Sequence, residues 1–259
     1  MKGTIHGLYH YPVKGLSPQP LDYVELQVGQ GFPFDRLFGF ARHDSGFDPA
    51  HPQPLPKTHF LMLMRDERLA ELQTHFDGPS HRLSVKSQGR TELEADLSTK
   101  DGVDASQAFL AAWLNKGSDE TPRFVHAAPH RFTDVSVVSP QMMNAVPVIN
   151  LASVRELGVR IGQEVNPLRF RANIYFDGWP PFAELDLVGR TITLGGIAMR
   201  VLLRTRRCAA TEVDPATGQR DIPIPRLIHK HFGHADMGVY AEVLATGALH
   251  PEDSIIGAT

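Results

Sequence analysis

The sequence predicts a mainly β protein with a few short helices. Short stretches in which apolar and polar residues alternate with period two recur along the 259 residues, and turn-forming residues separate them. Helical periodicity, in contrast, is confined to a few islands. Many short strands with few helices are typical of a β-barrel or of a pair of β-modules.

The strand pattern occurs in both halves of the chain. Two pairs of alternating segments are joined by short turns that contain glycine, which predicts two β-hairpins. The predicted strands are 23–28, 37–42, the hairpin of 82–86 with 91–95, and the hairpin of 190–194 with 197–203.

Four short helices are predicted from apolar residues that recur at three- and four-residue spacing. They involve Leu69, Leu72 and Phe76; Ala108 to Trp113, after a turn at 100–102; Ser153 to Leu157; and Pro225 to Phe232, which begins with proline and stops at Gly233. The polar stretch from Asn115 to Thr121 is the best candidate boundary. It predicts an N-terminal module over 1–118 and a second domain over 119–259.

Composition excludes several classes of function. The chain carries 26 basic and 29 acidic residues, a formal charge of −3, which argues against nucleic-acid binding or a basic membrane surface. The single cysteine excludes an internal disulfide, a cysteine-based zinc cluster and an iron–sulfur centre. The N-terminus lacks an apolar leader, and the longest apolar run, 60–64, is far shorter than the ~20 residues of a membrane span. We therefore expect a cytoplasmic protein without membrane contact.

Cys208 is the most informative residue, because Arg204, Arg206 and Arg207 precede it within four positions. Nearby cations favour the thiolate, which is both a nucleophile and a metal ligand. If the segment is a strand, Arg204, Arg206 and Cys208 share one face and Arg207 points to the other. A free cysteine is also a common small hydrophobe in protein cores. The residues alone therefore leave a functional and a structural role open.

The segment from Arg207 to Gly218 resembles the signature Arg-Cys-x-x-Thr-x-Val-Asp-Pro-x-Thr-Gly of the MOSC family. That family includes the C-terminal domain of molybdenum-cofactor sulfurase, which is linked to pyridoxal-phosphate desulfurases, and the mitochondrial amidoxime-reducing component. Further segments that resemble the family are 169–174, Asp177-Gly178, Pro181-Phe182, Glu184 and 238–240, while 11–16 and 34–38 are similar to its N-terminal module.

The resemblance implies a β-barrel MOSC domain, an N-terminal β-barrel-like module and a bound molybdenum cofactor. Cys208 would be the metal ligand and the catalytic residue. Cationic side chains would hold the cofactor phosphate, and an amide would contact the pterin edge. The implied cofactor contacts are Lys14, Arg36, Arg171, Asn173, Arg207, Thr211 and Tyr240.

Three departures from the family pattern stand out. The segment 47–52 lies where relatives often carry Thr-x-Arg before a proline, so one cationic contact is either missing or supplied by Lys57. Ala172 replaces a proline. Arg206 stands where the eukaryotic reductases have a small residue. We expect these changes to affect cofactor affinity and substrate shape more than the fold.

Three functions remain open at this stage. The preferred one is a molybdenum oxidoreductase that reduces N-hydroxylated or N-oxide-type small molecules, with electrons from a separate ferredoxin-, flavin- or cytochrome-type donor. The second is a sulfur carrier in which Cys208 holds a persulfide supplied by a cysteine desulfurase. The third is a non-catalytic barrel that binds an anion or a partner protein. The sequence hardly separates the first two, because both need an accessible, reactive cysteine.

Overall fold

The computed structural model describes residues 1–257, and the chain in this range consists mainly of strands and loops. None of the α-helices in this range is long and apolar enough to cross a membrane. The helices are α1 (Lys100–Trp113), α2 (Pro140–Met143), α3 (Leu151–Ile161) and α4 (Ile224–Phe232). The strands are β1 (Lys2–His10), β2 (Gln19–Leu21), β3 (Val24–Leu26), β4 (Phe38–Ala41), β5 (Gln73–Asp77), β6 (Arg82–Ser87), β7 (Arg90–Asp96), β8 (Arg123–His126), β9 (Val146–Asn150), β10 (Ile174–Asp177), β11 (Thr191–Leu194), β12 (Ile197–Arg206), β13 (Asp236–Val243), β14 (Gly247–Leu249) and β15 (Ser254–Ile256).

Seven strands close into a barrel in the order β10-β9-β13-β12-β11-β15-β1. The antiparallel pairing of β1 with β10, in which Leu8 lies opposite Ile174, completes the ring. Neighbouring strands are antiparallel except β9 and β10, which are parallel and connected through α3. The barrel confirms the predicted mainly β fold.

The interior of the barrel is a continuous apolar core. Every second residue of its strands points into this core, as the period of two requires; examples are Ile5, Val148, Phe176, Met199 and Ala241. Burying each such side chain stabilises the fold by about 1.5–3 kcal/mol. The barrel is therefore filled with side chains and offers a ligand space only outside its core.

Smaller sheets surround a second core in the N-terminal half. They are the three-stranded sheet β5-β6-β7, on which α1 packs, and the pair β4-β8. Val13, Phe38, Leu72, Val85 and Leu110 belong to this core. β1, from the first half of the chain, pairs with the barrel strand β10, and β8, from the second half, pairs with β4. Strand pairings therefore connect the two sides of the predicted boundary between 118 and 119. The division into 1–118 and 119–259 stays a prediction.

Both predicted hairpins are present, as β6-β7 and β11-β12. The helix predicted from Leu69, Leu72 and Phe76 is wrong: a 3-10 helix over Glu67–Glu71 is followed by β5. Three residues per turn bring Leu69 and Leu72 to one side, and Phe76 faces the same core from a strand. The turn predicted at 100–102 is instead the first turn of α1, where the Thr99 hydroxyl accepts a hydrogen bond from the Gly102 amide.

Candidate functional site

A cavity of about 290 Å³ lies against the end of β12 and is lined by residues of both halves of the chain. Its wall contains eight basic side chains and one acidic side chain, although the whole chain has a net charge of −3. Such a concentration of one sign of charge attracts anions. The basic residues are Lys14, Arg36, Lys57, Arg169, Arg171, Arg204, Arg206 and Arg207, and the acidic residue is Asp134.

Cys208 lines this cavity at the point where β12 ends. Its backbone is extended, and it caps the 3-10 helix Ala209–Glu212. The Cys208 carbonyl accepts hydrogen bonds from the Thr211 amide at 3.0 Å and from the Thr211 hydroxyl at 2.9 Å. These two bonds fix the backbone that carries the sulfur. The side chain is partly exposed, so the thiol is not sealed in apolar packing.

A row of alternating charges leads to the sulfur. The ammonium of Lys57 lies 3.1 Å from Cys208 Sγ and 3.1 Å from Asp134 Oδ2. The other carboxylate oxygen of Asp134 accepts a hydrogen bond from Lys14. Lys14 is 5% exposed and also donates to the Phe132 carbonyl at 3.0 Å. Lys14, Asp134, Lys57 and Cys208 thus form one connected polar chain.

The protonation of the side chains in this polar chain follows from their geometry. Partial removal of Asp134 from water works against its charge, yet Lys14 and Lys57 hold the pKa of its carboxyl well below the usual range. Burial also works against the charge of Lys57, but Asp134 and Cys208 together raise the pKa of its ammonium. Burial lowers the pKa of Lys14, although Asp134 opposes this shift. Lys57 therefore keeps a proton on Nζ beside the sulfur at neutral pH.

Two arginines are fixed on the ring of Tyr11. Their guanidinium carbons lie 4.5 Å (Arg36) and 4.4 Å (Arg171) from the ring centroid. Arg171 donates to the Leu16 carbonyl at 2.8 Å, and Arg36 donates to the Arg171 carbonyl at 2.7 Å. Both residues have a left-handed backbone, with φ of 49° and 52°, which is strained for a residue with a side chain. The surrounding bonds hold both cations in place in the absence of a ligand.

Three guanidinium groups of the cavity have no carboxylate partner among residues 1–257. Arg207 donates to the carbonyls of Met237 and Phe170, both at 2.8 Å. The Arg171 guanidinium contacts the Leu16 carbonyl and the Tyr11 ring. The side chain of Arg206 is exposed and has no hydrogen bond or ion pair in that range. The cavity therefore retains positive charge that the protein itself does not neutralise.

The donor set fits an anionic, metal-bearing organic cofactor. No group of three His, Cys, Asp or Glu side chains in the described part of the chain is placed to hold a metal ion, so most ligands of a metal at Cys208 would come from the cofactor. A thiolate suits a soft transition metal. Thr205 is 3% exposed and lines the cavity, and its hydroxyl has no hydrogen-bond partner among residues 1–257, as expected where a ligand supplies one.

Comparison with known proteins identifies the family. The sequence model of the MOSC domain matches residues 125–256, just over half of the chain. The chain belongs to the MOSC domain family. The match contains every barrel strand except β1, as well as Cys208 with its loop. This confirms the resemblance on which the site residues were predicted.

Relatives of this MOSC chain fall into two groups. Molybdenum cofactor sulfurase from Caenorhabditis briggsae is 28% identical over 224 residues, covering 84% of this chain and 30% of the relative. Mitochondrial amidoxime-reducing component 1 from Homo sapiens is 22% identical over 244 residues, covering 83% and 68%. The chain thus spans about a third of the length of the sulfurase. Among solved structures, the YUAD protein from Bacillus subtilis aligns with a TM-score of 0.45 and 13% identity over 98% of this chain and 94% of that one.

The structure brings seven of the eight predicted site residues of the MOSC chain to one cavity. Their contacts divide them by role. Lys14, Arg36, Arg171 and Arg207 are held by the hydrogen bonds described above, Thr211 orients the Cys208 backbone, and Tyr240 on β13 lines the wall. The seven are Cys208, Lys14, Arg36, Arg171, Arg207, Thr211 and Tyr240.

Asn173 is the exception and does not line the cavity. It is 1% exposed, and its amide donates to the Tyr9 carbonyl at 2.8 Å and to Asp35 Oδ1 at 2.9 Å. Asp35 in turn forms an ion pair with Arg36. Asn173 also accepts a hydrogen bond from the Arg36 guanidinium at 3.4 Å, so it positions Arg36 both directly and through Asp35. The predicted contact between Asn173 and the pterin edge stays a prediction.

The predicted strand geometry around Cys208 also needs correction. β12 is irregular between Arg204 and Arg206 and ends at Arg206, so Cys208 does not continue its alternation. Arg204 donates to the Leu185 carbonyl and pairs with Asp186. Within residues 1–257, the charged group that contacts the sulfur is the Lys57 ammonium rather than a guanidinium of the segment 204–207. Whether Lys57 also supplies the missing cationic contact to the cofactor stays a prediction.

Asp134 is the site residue that sequence reasoning missed. It follows Arg131-Phe132-Thr133 in a loop between β8 and α2, with no motif that marks it. Its two lysine partners are 120 and 77 residues away in sequence. The sequence carried no signal for it, because the low exposure of Lys14, which requires a nearby anion, is seen only in the folded chain.

Proposed function

We propose that this chain is a molybdenum-cofactor-dependent oxidoreductase that reduces N-hydroxylated or N-oxide-type small molecules. The observation that supports this most strongly is the partly exposed Cys208 sulfur, which lines a cationic cavity of about 290 Å³. The similarity to amidoxime-reducing components adds support for the substrate class. Two-electron reduction of an N–O bond consumes two protons and releases water.

The residues of the cavity divide into those that bind and those that orient. Cys208 would supply the thiolate ligand to the metal, and Thr211 fixes the Cys208 backbone. Arg171 and Arg207, whose charges have no carboxylate partner in residues 1–257, would bind the phosphate of the cofactor. Thr205 offers a buried hydroxyl to the same ligand. Asn173 and Tyr11 hold Arg36 and Arg171 in place.

When bound, the molybdenum cofactor supplies reversible two-electron chemistry and a site that accepts oxygen. The chain supplies protons next to that site. Lys57 holds one on Nζ, 3.1 Å from Cys208 Sγ, and Asp134 links Lys57 to Lys14. Because Asp134 is 44% exposed, this polar chain is open to solvent and can be reprotonated. We propose that the electrons come from a separate donor of ferredoxin, flavin or cytochrome type.

The test is reduction of an amidoxime by protein produced with molybdate, with a reduced viologen as the electron source. We expect turnover by the wild type and none by Cys208→Ser. A matched control is Ser106→Ala, which removes a buried hydroxyl of α1 that donates to the Val103 carbonyl, both residues being outside the cavity lining. A wild-type protein with stoichiometric molybdenum but no turnover contradicts the proposal.

A sulfur carrier is the second candidate, supported by the similarity to molybdenum cofactor sulfurases. The Lys57 ammonium would stabilise an anionic persulfide on Cys208 as well as a thiolate. Incubation with a cysteine desulfurase and cysteine separates the two functions. A carrier gains the mass of one sulfur atom on Cys208 and purifies without molybdenum, whereas the oxidoreductase purifies with molybdenum and pterin.

A further inference from the structure

Among residues 1–257, the exposed Arg206 at the rim of the cavity has no carboxylate within ion-pair distance. Arg206 is the last residue of β12; its side chain is exposed, lines the cavity, and has no hydrogen bond or ion pair within residues 1–257. Most of its neighbours are already engaged with carboxylates: Arg204 with Asp186, and Lys57 with Asp134. Arg206 therefore remains available to a ligand that enters from solvent.

The interior cations do not compete with Arg206 for such a ligand. Arg171 and Arg207 also lack carboxylates, but they lie deeper, where their guanidinium groups bond to backbone carbonyls. A cofactor phosphate bound to Arg171 and Arg207 would neutralise their charge and would leave the charge of Arg206 at the rim uncompensated. The guanidinium of Arg206 would then be the outermost uncompensated charge of the site.

Two apolar side chains line the same cavity as Arg206. Leu203, on the same strand, lines the cavity and is 44% exposed, and Val135 lines it from the loop that carries Asp134. An apolar ring system could lie against these side chains. A ligand with an apolar body and an anionic substituent would thus match both features of the rim.

We propose that Arg206 makes this site selective for substrates that carry a carboxylate or another anionic group next to an apolar body. This inference rests on the proposed function for the chemistry of the substrate, but the recognition step is independent of turnover. The reduction itself breaks the N–O bond of an amidoxime; two electrons from the viologen and two protons give the amidine and water. Arg206 takes no part in that step and acts on binding alone.

The size of the preference for a carboxylate depends on one exposed hydrogen bond between charged groups. Hydrogen bonds to charged groups are stronger than neutral ones, while exposure to solvent weakens the pair. Together these limits predict that a para-carboxylate tightens binding roughly 3- to 20-fold. The preference should shrink as salt rises, because the pair is screened.

Calorimetry with the molybdenum-loaded protein tests the inference without turnover. The probes are benzamidine and its para-carboxylate derivative, the products of the matched amidoximes. We expect the wild type to prefer the carboxylate, Arg206→Ala to lose the preference, and Arg206→Glu to reverse it. Arg200→Ala is the matched control: Arg200 is an exposed arginine of β12 outside the cavity lining, and its removal should leave the preference intact.

Kinetics with the two amidoximes separate failure of the inference from failure of the proposed function. We expect Arg206→Ala to raise KM for the carboxylate substrate with kcat and molybdenum content unchanged. Equal binding of both probes by the wild type overturns the role of Arg206, whether or not the protein turns over. Loss of molybdenum and pterin from Arg206→Ala also overturns it, because Arg206 would then hold the cofactor. Tight, selective binding without any reduction contradicts only the proposed function.

Discussion

The buried carboxyl of Glu184, next to the site, is expected to make the stability of the fold depend on pH. It lies in the 3-10 helix Ala183–Leu187, is 1% exposed, and accepts hydrogen bonds from the Ser153 hydroxyl at 3.1 and 3.3 Å. No cation pairs with it in residues 1–257. Burial, only partly offset by these hydrogen bonds, raises the pKa of Glu184 to about 7. Arg204, at the cavity, donates to the carbonyl of the next residue, so this helix borders the site.

The sign and size of the change in stability follow from the difference between the pKa of Glu184 in the folded and unfolded states. The pKa of Glu184 is about 7 in the folded state and 4.5 for a free glutamate. Between these values the folded state keeps a proton that the unfolded state has lost, so stability falls as pH rises through this window. One pKa unit corresponds to about 1.4 kcal/mol, and the ionised carboxylate therefore costs about 3 kcal/mol above pH 7.

Glu184→Gln keeps the shape of the side chain and removes the charge. We expect it to raise the free energy of unfolding by about 3 kcal/mol at pH 8 and to change it little at pH 5. Urea unfolding at both pH values measures this. Glu25→Gln, at an exposed carboxylate of β3 without an ion pair, is the control and should have no such pH dependence. An equal effect of Glu184→Gln at pH 5 and pH 8 would refute the reasoning.

Two further substitutions test how the Cys208 loop and the barrel are held. Arg169→Met should destabilise the protein by about 2–4 kcal/mol in urea unfolding, because the buried guanidinium binds Asp214 and Asp221 of the loop after Cys208, each at 2.7 Å; a loss below 1 kcal/mol would contradict this role. Gly238→Ala should destabilise by more than about 2 kcal/mol, because φ is 77° and a Cβ would lie 2.5 Å from the Val148 carbonyl. Thermal unfolding near the wild-type temperature would contradict that clash.

Local patterns predicted the regular strands of this chain but not the irregular ones. The hairpins β6-β7 and β11-β12 follow from alternation and from turns that contain glycine. The helix predicted around Leu69 failed because apolar spacings of three and four also arise when a 3-10 turn runs into a strand. The predicted strand geometry at Cys208 was wrong, because no feature of the sequence indicates the irregular pairing of β12.

The site was predictable where a motif carried it and not where distant segments meet. Cys208, Arg171 and Lys14 were found because each lies in a segment that resembles the family. Asp134 was missed because its role depends on two lysines that only the folded chain brings near. Asn173 was predicted to contact the cofactor, and the folded chain places its amide against the carboxylate of Asp35, since a sequence does not show which neighbours an amide meets.

The most direct test of the account is the molybdenum and pterin content per chain after expression with molybdate. The account predicts close to one of each for the wild type. For Cys208→Ser it predicts loss of molybdenum with the fold retained, because the Cys208 carbonyl that Thr211 binds is unchanged. Equal molybdenum in both proteins, or none in the wild type, would contradict Cys208 as the metal ligand.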